Sequence, residues 1–301
     1  MNSMQFLGAI EMGLIYGLVA VGVYLSFRVL DFPDLTVDGS FPLGAAISSI
    51  MIINGYSPWL ALLAALLGGS LSGLFTAWLN IRWKILHLLA GIITMTALYS
   101  INLRIMGGPN LSIFDQDTVF HPLQSLLQLP HLSTNVIFMG GALLFILMIF
   151  FRFLLSDMGL AMRATGQNLA MAKAQGIGTN GMTLMGLAIA NAFAALAGAL
   201  FAQSQGFADV QMGVGTILVG LAGVLIGEAI FHTRLLFVAL IGCILGSVIY
   251  RFVYALALNT DTLGLQASDL NLITAALVTL AMISAHMRKS VKAYFAKRRH
   301  A

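Results

Sequence analysis

Charge is what this sequence has least of. Of its 301 residues, 9% are charged and 59% are hydrophobic, whereas soluble domains carry about 25% charged residues. So few charges cannot cover a water-soluble surface of this size. With a mean hydropathy of +0.94, most of the chain must have lipid as its solvent. Cysteine is almost absent as well. Cys243 stands alone, which excludes an intramolecular disulfide and a cysteine-based zinc site. It lies in an apolar run and reads as a small core residue. The histidines (His87, His121, His131, His232, His286 and His300) are scattered, and no pair has the spacing of a helical metal site. No Ser/His/Asp order or paired carboxylate marks a catalytic centre. We therefore expect no catalytic residue, no metal and no cofactor in this chain. The N-terminus, MNSMQFLGAIEMG, lacks a basic leader region and carries Glu11, so its apolar run reads as a retained first span.

What is present is a series of apolar runs near residues 7–27, 36–53, 58–80, 85–106, 134–155, 182–203, 213–231, 235–257 and 269–287. A membrane-crossing helix needs about 20 apolar residues. These runs predict an all-α integral membrane bundle of about nine transmembrane helices, forming one transmembrane domain over residues 1–301. The runs at 36–53 and 213–231 are the weakest. With the N-terminus outside, Arg28, Arg82, Lys84, Arg152, Arg163, Lys173 and Arg234 fall on the cytoplasmic side. The basic tail 288–301 falls there too, with Arg288, Lys289, Lys292, Lys297, Arg298 and Arg299. That is the expected charge bias of a cytoplasmic C-terminus beside anionic lipid, and it makes nucleic acid an unneeded partner. Asp115, Asp117, Asp209, Asp261 and Asp269 lie in the outer loops.

Glycine is plentiful, at 31 residues. The pairs Gly13/Gly17, Gly69/Gly73, Gly223/Gly227 and Gly242/Gly246 have the spacing that lets two helix backbones approach closely. They predict a tight bundle.

The longest inner loop, residues 156–180, differs from the others. Ser156 and Asp157 can cap a helix start. Ala161, Ala164, Ala170, Ala172 and Ala174 favour helix, and Gly166 and Gly176 break it. The segment predicts two short helices lying against the cytoplasmic face, with small side chains suited to a groove on a partner. A plain connecting loop is the alternative.

The pattern Gly159, Arg163, Ala164, Asn168, Ala172, Gly176, Ile177 resembles the cytoplasmic loop of branched-chain amino acid and ribose-type permeases of ABC importers. The likeness continues through TLMGLAIANAFAALAGALFAQSQG (183–206) and LVGLAGVLIGEAIF (218–231), and begins with YGLVAVGVYLSFRVLDFPDLTVDGS (16–40). The string DFPDLTVDGSFPLGAA looks more like a smaller branch, some of whose members are linked with tryptophan or tyrosine uptake. The resemblance implies a permease of the bacterial inner membrane that translocates a small solute, an amino acid or a related molecule. It implies pairing with a second copy or close paralogue. Two cytoplasmic ATPase subunits would dock on residues 157–176, with coupling through Gly159, Arg163, Ala164, Gly166, Asn168, Ala172 and Gly176. An extracytoplasmic binding protein would deliver the solute. ATP and Mg²⁺ belong to the ATPase: GIGTNGMT (176–183) has the glycine spacing of a phosphate-binding loop, but Met182 stands where its lysine must be.

Several polar residues are candidates for the substrate path. Asp34, Thr36, Asp38 and Ser40 cluster where Pro33, Gly39 and Pro42 interrupt helix. A second interruption runs through Asp209, Gly213, Gly215 and Gly220. Paired interruptions point to a transport path; capping of a helix at the cytoplasmic surface by Asp34 and Asp38 is the other reading. Asn191 suits an interhelical hydrogen bond or a ligand contact. Glu228 suits an ion pair, with Arg234 nearby, or a gate contact. Arg104 and Arg251 break the charge rule at the outer ends of spans. They would meet acidic groups on a docked binding protein, or pair with Asp115, Asp209 or Asp261. Two other functions compete. A stand-alone secondary transporter would need coupling-ion sites within the spans. A multi-pass membrane enzyme would need polar catalytic groups at one interface, where only the Asp31–Asp38 stretch qualifies.

Overall fold

The computed structural model describes residues 3–114, 116–127, 131–231 and 235–258, together with 275, 276 and 279. Apart from those three positions, the expected ninth run (269–287) lies outside the described residues, as do the basic tail, Asp115, Arg234, Asp261 and Asp269. Among the described residues, seven helices are long and apolar enough to cross a membrane, and Val37–Ile53 is a shorter apolar helix. The chain is a helical membrane bundle, as its composition requires.

The first helix, α1 (Ser3–Tyr24), ends in a π-helical turn at Leu25–Val29. An irregular stretch follows, with Asp31 at a positive φ of 54°. Helices α2 (Val37–Ile53), α3 (Pro58–Trp83) and α4 (His87–Met106) come next, then strand β1 (Asn110–Ser112) and a short helix α5 (His121–Leu127). After α6 (His131–Leu155) come two short helices, α7 (Asp157–Gln167) and α8 (Leu169–Ala174). The chain then runs through α9 (Thr179–Gln205), β2 (Phe207–Asp209), a 3-10 turn (Val210–Gly213), α10 (Thr216–Ile230) and α11 (Leu236–Leu258).

Helix α9 is the centre. Its run of alanines and glycines from Ala190 to Gly198 is buried almost without a break, and α1, α2 and α3 pack around it. Small residues there let three helices approach at once. The four glycine pairs do what their spacing predicts. Gly13 and Gly17 of α1 meet Val248 and Ile244 of α11. Gly69 and Gly73 of α3 meet the backbone of α9 at Asn191 and Leu187. Gly227 and Gly223 of α10 lie against Gly242 and Gly246 of α11, backbone on backbone. A Cβ at these positions would push the helices apart.

The two ends of the bundle are distinct. At one end β1 and β2 pair antiparallel, Asn110 opposite Asp209 and Ser112 opposite Phe207, tying the exit of α4 to the exit of α9. At the other end α7 folds under the bundle. A Cβ at Gly166 would strike the carbonyl of Val29, so α7 sits hard against the π-helical turn of α1. Arg28, Arg82, Lys84, Arg152, Arg163 and Lys173 all belong to this α7–α8 end.

Candidate functional site

Asp34, Thr36, Ser40 and Asn191 come together in the structure, but inside the protein. All four are 0% exposed. Asp34 accepts from the Thr36 backbone N–H at 2.9 Å and from Asn191 Nδ2 at 2.6 Å. Ser40 donates to Asn191 Oδ1 at 2.7 Å and meets the Ser72 hydroxyl at 2.8 Å. Thr36 meets Thr76 at 2.7 Å, and Thr76 donates to Thr94 at 2.8 Å. One polar chain therefore joins α2, α3, α4 and α9. Gly91 lets α4 close on it: a Cβ there would lie 2.8 Å from the backbone N of Leu35. Buried polar groups this well connected fix the relative placement of their helices. Asp34 accepts from the N–H of Thr36, the residue before α2, beneath the surface rather than at it.

The two interruptions also meet. The Asp38 carboxylate accepts from the backbone N–H of Ile217 at 2.7 Å and of Gly215 at 3.2 Å. These are orphan donors of the first turn of α10, where a carboxylate is favoured by charge and by hydrogen bonding. Gly213 packs on the Asp38 carbonyl and the Pro42 ring. Non-helical backbone is tolerated at this depth because each break satisfies the other.

Glu228 stands apart from this cluster. Its ion pair is with Arg28 of the π-helical turn, on the α7–α8 end. The sequence neighbour Arg234 lies outside the described residues. Close by, a cavity of about 520 Å³ opens between α7–α8 and the α3–α4 turn. Asp31, Asn80, Lys84, His87, Gln167 and Lys173 line it. The Phe32 and His87 rings stack at 4.2 Å at its wall.

The coupling candidates divide into two groups. Gly159 and Ala172 are buried, and Arg163, Ala164 and Gly166 are half-buried, so they face the bundle at least in part. Asn168 is exposed and caps α8, accepting from the Met171 N–H at 3.0 Å. Gly176 is exposed with φ at 81° and ends that helix. Ser156 caps α7 through Gly159 N–H. The break between the helices falls at Asn168; Gly166 lies inside α7 and serves close packing instead. Alongside the exposed Asp157, Gln167 and Lys173, α7 and α8 present apolar side chains: Met158, Leu160, Leu169 and Met171 are each at least half exposed. Residue identity flagged the segment but not these four, because facing is a tertiary property.

At the opposite end, Arg251 turns inward. Its guanidinium lies 3.9 Å from the centroid of the Tyr16 ring, with Tyr254 at 5.4 Å. Arg251 is thus half-buried in a cation–π contact, whereas Arg104 is exposed. The sequence reading also passed over Glu11. It is buried and accepts from Asn135 Nδ2 at 2.8 Å and from the Ser204 hydroxyl at 2.6 Å, linking α1, α6 and α9. A carboxylate this far inside a hydrophobic run was its signal.

Comparison with known proteins agrees with this architecture. The family model described as branched-chain amino acid transport system / permease component matches residues 5–285. The tyrosine transport system permease protein of Clostridioides difficile is 38% identical over 285 residues, covering 94% of this chain and 92% of that protein. The autoinducer 2 import system permease protein of Escherichia coli is 29% identical over 212 residues, covering 70% of this chain and 59% of that one. Among solved structures, PsaBC from Streptococcus pneumoniae in complex with Fab superposes with a TM-score of 0.51 at 16% identity, covering 92% of this chain and 89% of that one. That likeness is one of fold. With its membrane bundle, its paired surface helices and a family match over nearly its whole length, the chain belongs to the branched-chain amino acid transport system permease family.

Proposed function

We propose that this permease subunit imports an amino acid, with tyrosine or a similar aromatic amino acid as the leading candidate, in an ATP-driven importer. The observation that carries the reading is the α7–α8 pair. It is held against the bundle by Gly159, Gly166 and Ala172, yet it exposes Leu169 and Met171 to water at the cation-rich end. Exposed apolar side chains on a rigid, capped element suit a protein partner, here the groove of a cytoplasmic ATPase. The aromatic solute is supported by the 38% identity to a tyrosine transport permease. The α7–α8 end then faces the cytoplasm, in keeping with its Lys and Arg residues. A second copy of the chain and an extracytoplasmic binding protein complete the assembly, and ATP with Mg²⁺ is held by the ATPase.

In this scheme ATP-driven closure of the ATPases moves α7 and α8. Because α7 abuts the π-helical turn of α1 at Val29, that motion reaches the Arg28–Glu228 pair and the broken segment 30–36 directly. A pull-down of the solubilised chain with its ATPase tests the reading. Intact chain should retain the ATPase, and Leu169→Asp with Met171→Asp should lose it while the bundle stays folded. Equal retention by both would refute the docking site. An intact, folded chain that retains no ATPase would favour a stand-alone transporter.

A further inference from the structure

Two lysines and an aspartate line one cavity at the α7–α8 end without pairing. The cavity, of about 520 Å³, is walled in part by Asp31, Lys84 and Lys173, and all three are exposed. The ion pairs among the described residues are Arg28–Glu228 and His121–Asp117, so these three charges are not spent on one another. The elements that carry them are fixed. Lys84 has a φ of 57° in the α3–α4 turn, and Asn80 Nδ2 donates to the Ile85 carbonyl across that turn at 2.7 Å. Lys173 lies in α8, which Asn168 caps and whose Ala172 is buried. Another side of the cavity is aromatic: Phe32, 2% exposed, stacks on His87 at 4.2 Å.

Small-molecule sites span about 300–1,000 Å³ and set a few polar groups into apolar walls, and this cavity is of that kind. Cations and a carboxylate in one wall fit a ligand that carries both signs. A phosphate would be repelled by Asp31, and a simple amine by the two lysines. An α-amino acid brings a carboxylate for the lysines and an ammonium for Asp31. An aromatic one also brings a ring for the Phe32–His87 side.

We propose that this cavity is a regulatory site that takes the transported amino acid from the cytoplasm, its carboxylate on Lys84 and Lys173, its ammonium on Asp31 and its ring against Phe32 and His87, and that its occupancy slows import. The assignment rests on the permease function and orientation proposed above. The regulatory effect follows from the elements that the cavity joins: segment 30–32, the α3–α4 turn, α7–α8 and, through Asn180 and Thr183, the start of α9. In the scheme above, ATP-driven motion of α7 and α8 shifts Lys173 relative to Asp31 and Lys84. A ligand that touches all three favours the spacing in which it fits, and opposes the other by its differential affinity for the two. Import then falls as the amino acid accumulates inside.

Influx into preloaded liposomes tests the site. The full chain is assembled with its ATPase. ATP is held in the lumen on the ATPase side, and the binding protein and labelled L-tyrosine are outside. Unlabelled L-tyrosine in the lumen should slow initial influx about tenfold, within the range of couplings between two sites. Tyramine, which lacks the carboxylate, and inorganic phosphate should leave influx unchanged. Lys84→Gln with Lys173→Gln should abolish the slowing, and Lys84→Arg with Lys173→Arg should retain it. No slowing in the intact complex overturns the proposal, as does equal slowing in the glutamine pair or slowing by tyramine or phosphate. If the glutamine pair fails to retain the ATPase, Asn180→Trp, which fills the cavity, replaces it with the same two outcomes. Absence of ATP-dependent influx without luminal L-tyrosine would refute the functional reading instead. Equilibrium binding of labelled L-tyrosine to the permease–ATPase complex would then decide the site: loss of binding in the glutamine pair supports it, and equal binding overturns it.

Discussion

Replacing Asn191 by leucine removes the centre of the buried polar chain while keeping side-chain bulk. Three hydrogen bonds are lost: to Asp34 at 2.6 Å, from Ser40 at 2.7 Å and to the Leu187 carbonyl at 3.0 Å. Two of the losses are repaired locally. Ser40 keeps Ser72 at 2.8 Å and the Thr36 carbonyl at 3.1 Å, and the Leu187 carbonyl remains within the backbone ladder of α9. Asp34 is left with Thr36 alone, through its backbone N–H and its side chain. An ordinary interhelical hydrogen bond in a membrane contributes about 0.6 kcal/mol, whereas leaving a buried acceptor short of a partner costs about 1–3 kcal/mol. Asn191→Leu should therefore destabilise the bundle by about 1–3 kcal/mol. In an Asp34→Leu background, where no acceptor is left short, the same change should cost about 0.6 kcal/mol. Denaturant titration of the four proteins in mixed micelles measures the coupling. A cost near 0.6 kcal/mol for Asn191→Leu alone, or equal costs in both backgrounds, would refute the reasoning.

Further expectations concern packing, charge and coupling. Gly227→Leu forces α10 off the Gly242 backbone of α11 and should destabilise by about 1–3 kcal/mol, read as a fall in thermal stability. Gly181→Ala meets nothing within 4 Å and should leave stability unchanged or slightly raised. Arg28→Gln should cost at most about 1 kcal/mol, because the pair with Glu228 is about 42% and 35% exposed and such pairs are screened; a larger loss in the same titration would contradict that. Gly166→Leu should uncouple ATP hydrolysis from uptake while the ATPase stays bound, since Leu169 and Met171 remain in place. Hydrolysis rate and uptake measured on the same preparation check this.

Periodic features were legible in the sequence. Eight of the nine runs fall on described helices. The glycine pairs met their partners because close approach depends only on missing side chains along one stripe. The two interruptions found each other because an aspartate and an orphaned helix start are complementary. The α7–α8 pair was visible from the Ser156 cap and the alanines, although Gly166, read as the break, lies inside α7. Facing was less legible. Asp34, Ser40 and Asn191 stood between path and structural readings, and their hydrogen bonds to one another and to Ser72 depend on which helices meet. Ser72 and Thr76 sit at the spacing of Gly69 and Gly73, so their common face could have been read; which helix it met could not. The Arg28–Glu228 pair joins residues 200 apart in sequence, and no local pattern predicts it. Arg251 broke the charge rule without being exposed, because the ring that covers it comes from α1.

Under the proposed function, ATP hydrolysis on a partner, transmitted through α7 and α8, drives solute across this bundle. Uptake of labelled L-tyrosine into liposomes holding the chain, with its ATPase and binding protein, tests that most directly. Accumulation should need ATP and both partners, and should stop with Leu169→Asp and Met171→Asp. Accumulation by the chain alone, driven by an ion gradient, would contradict it.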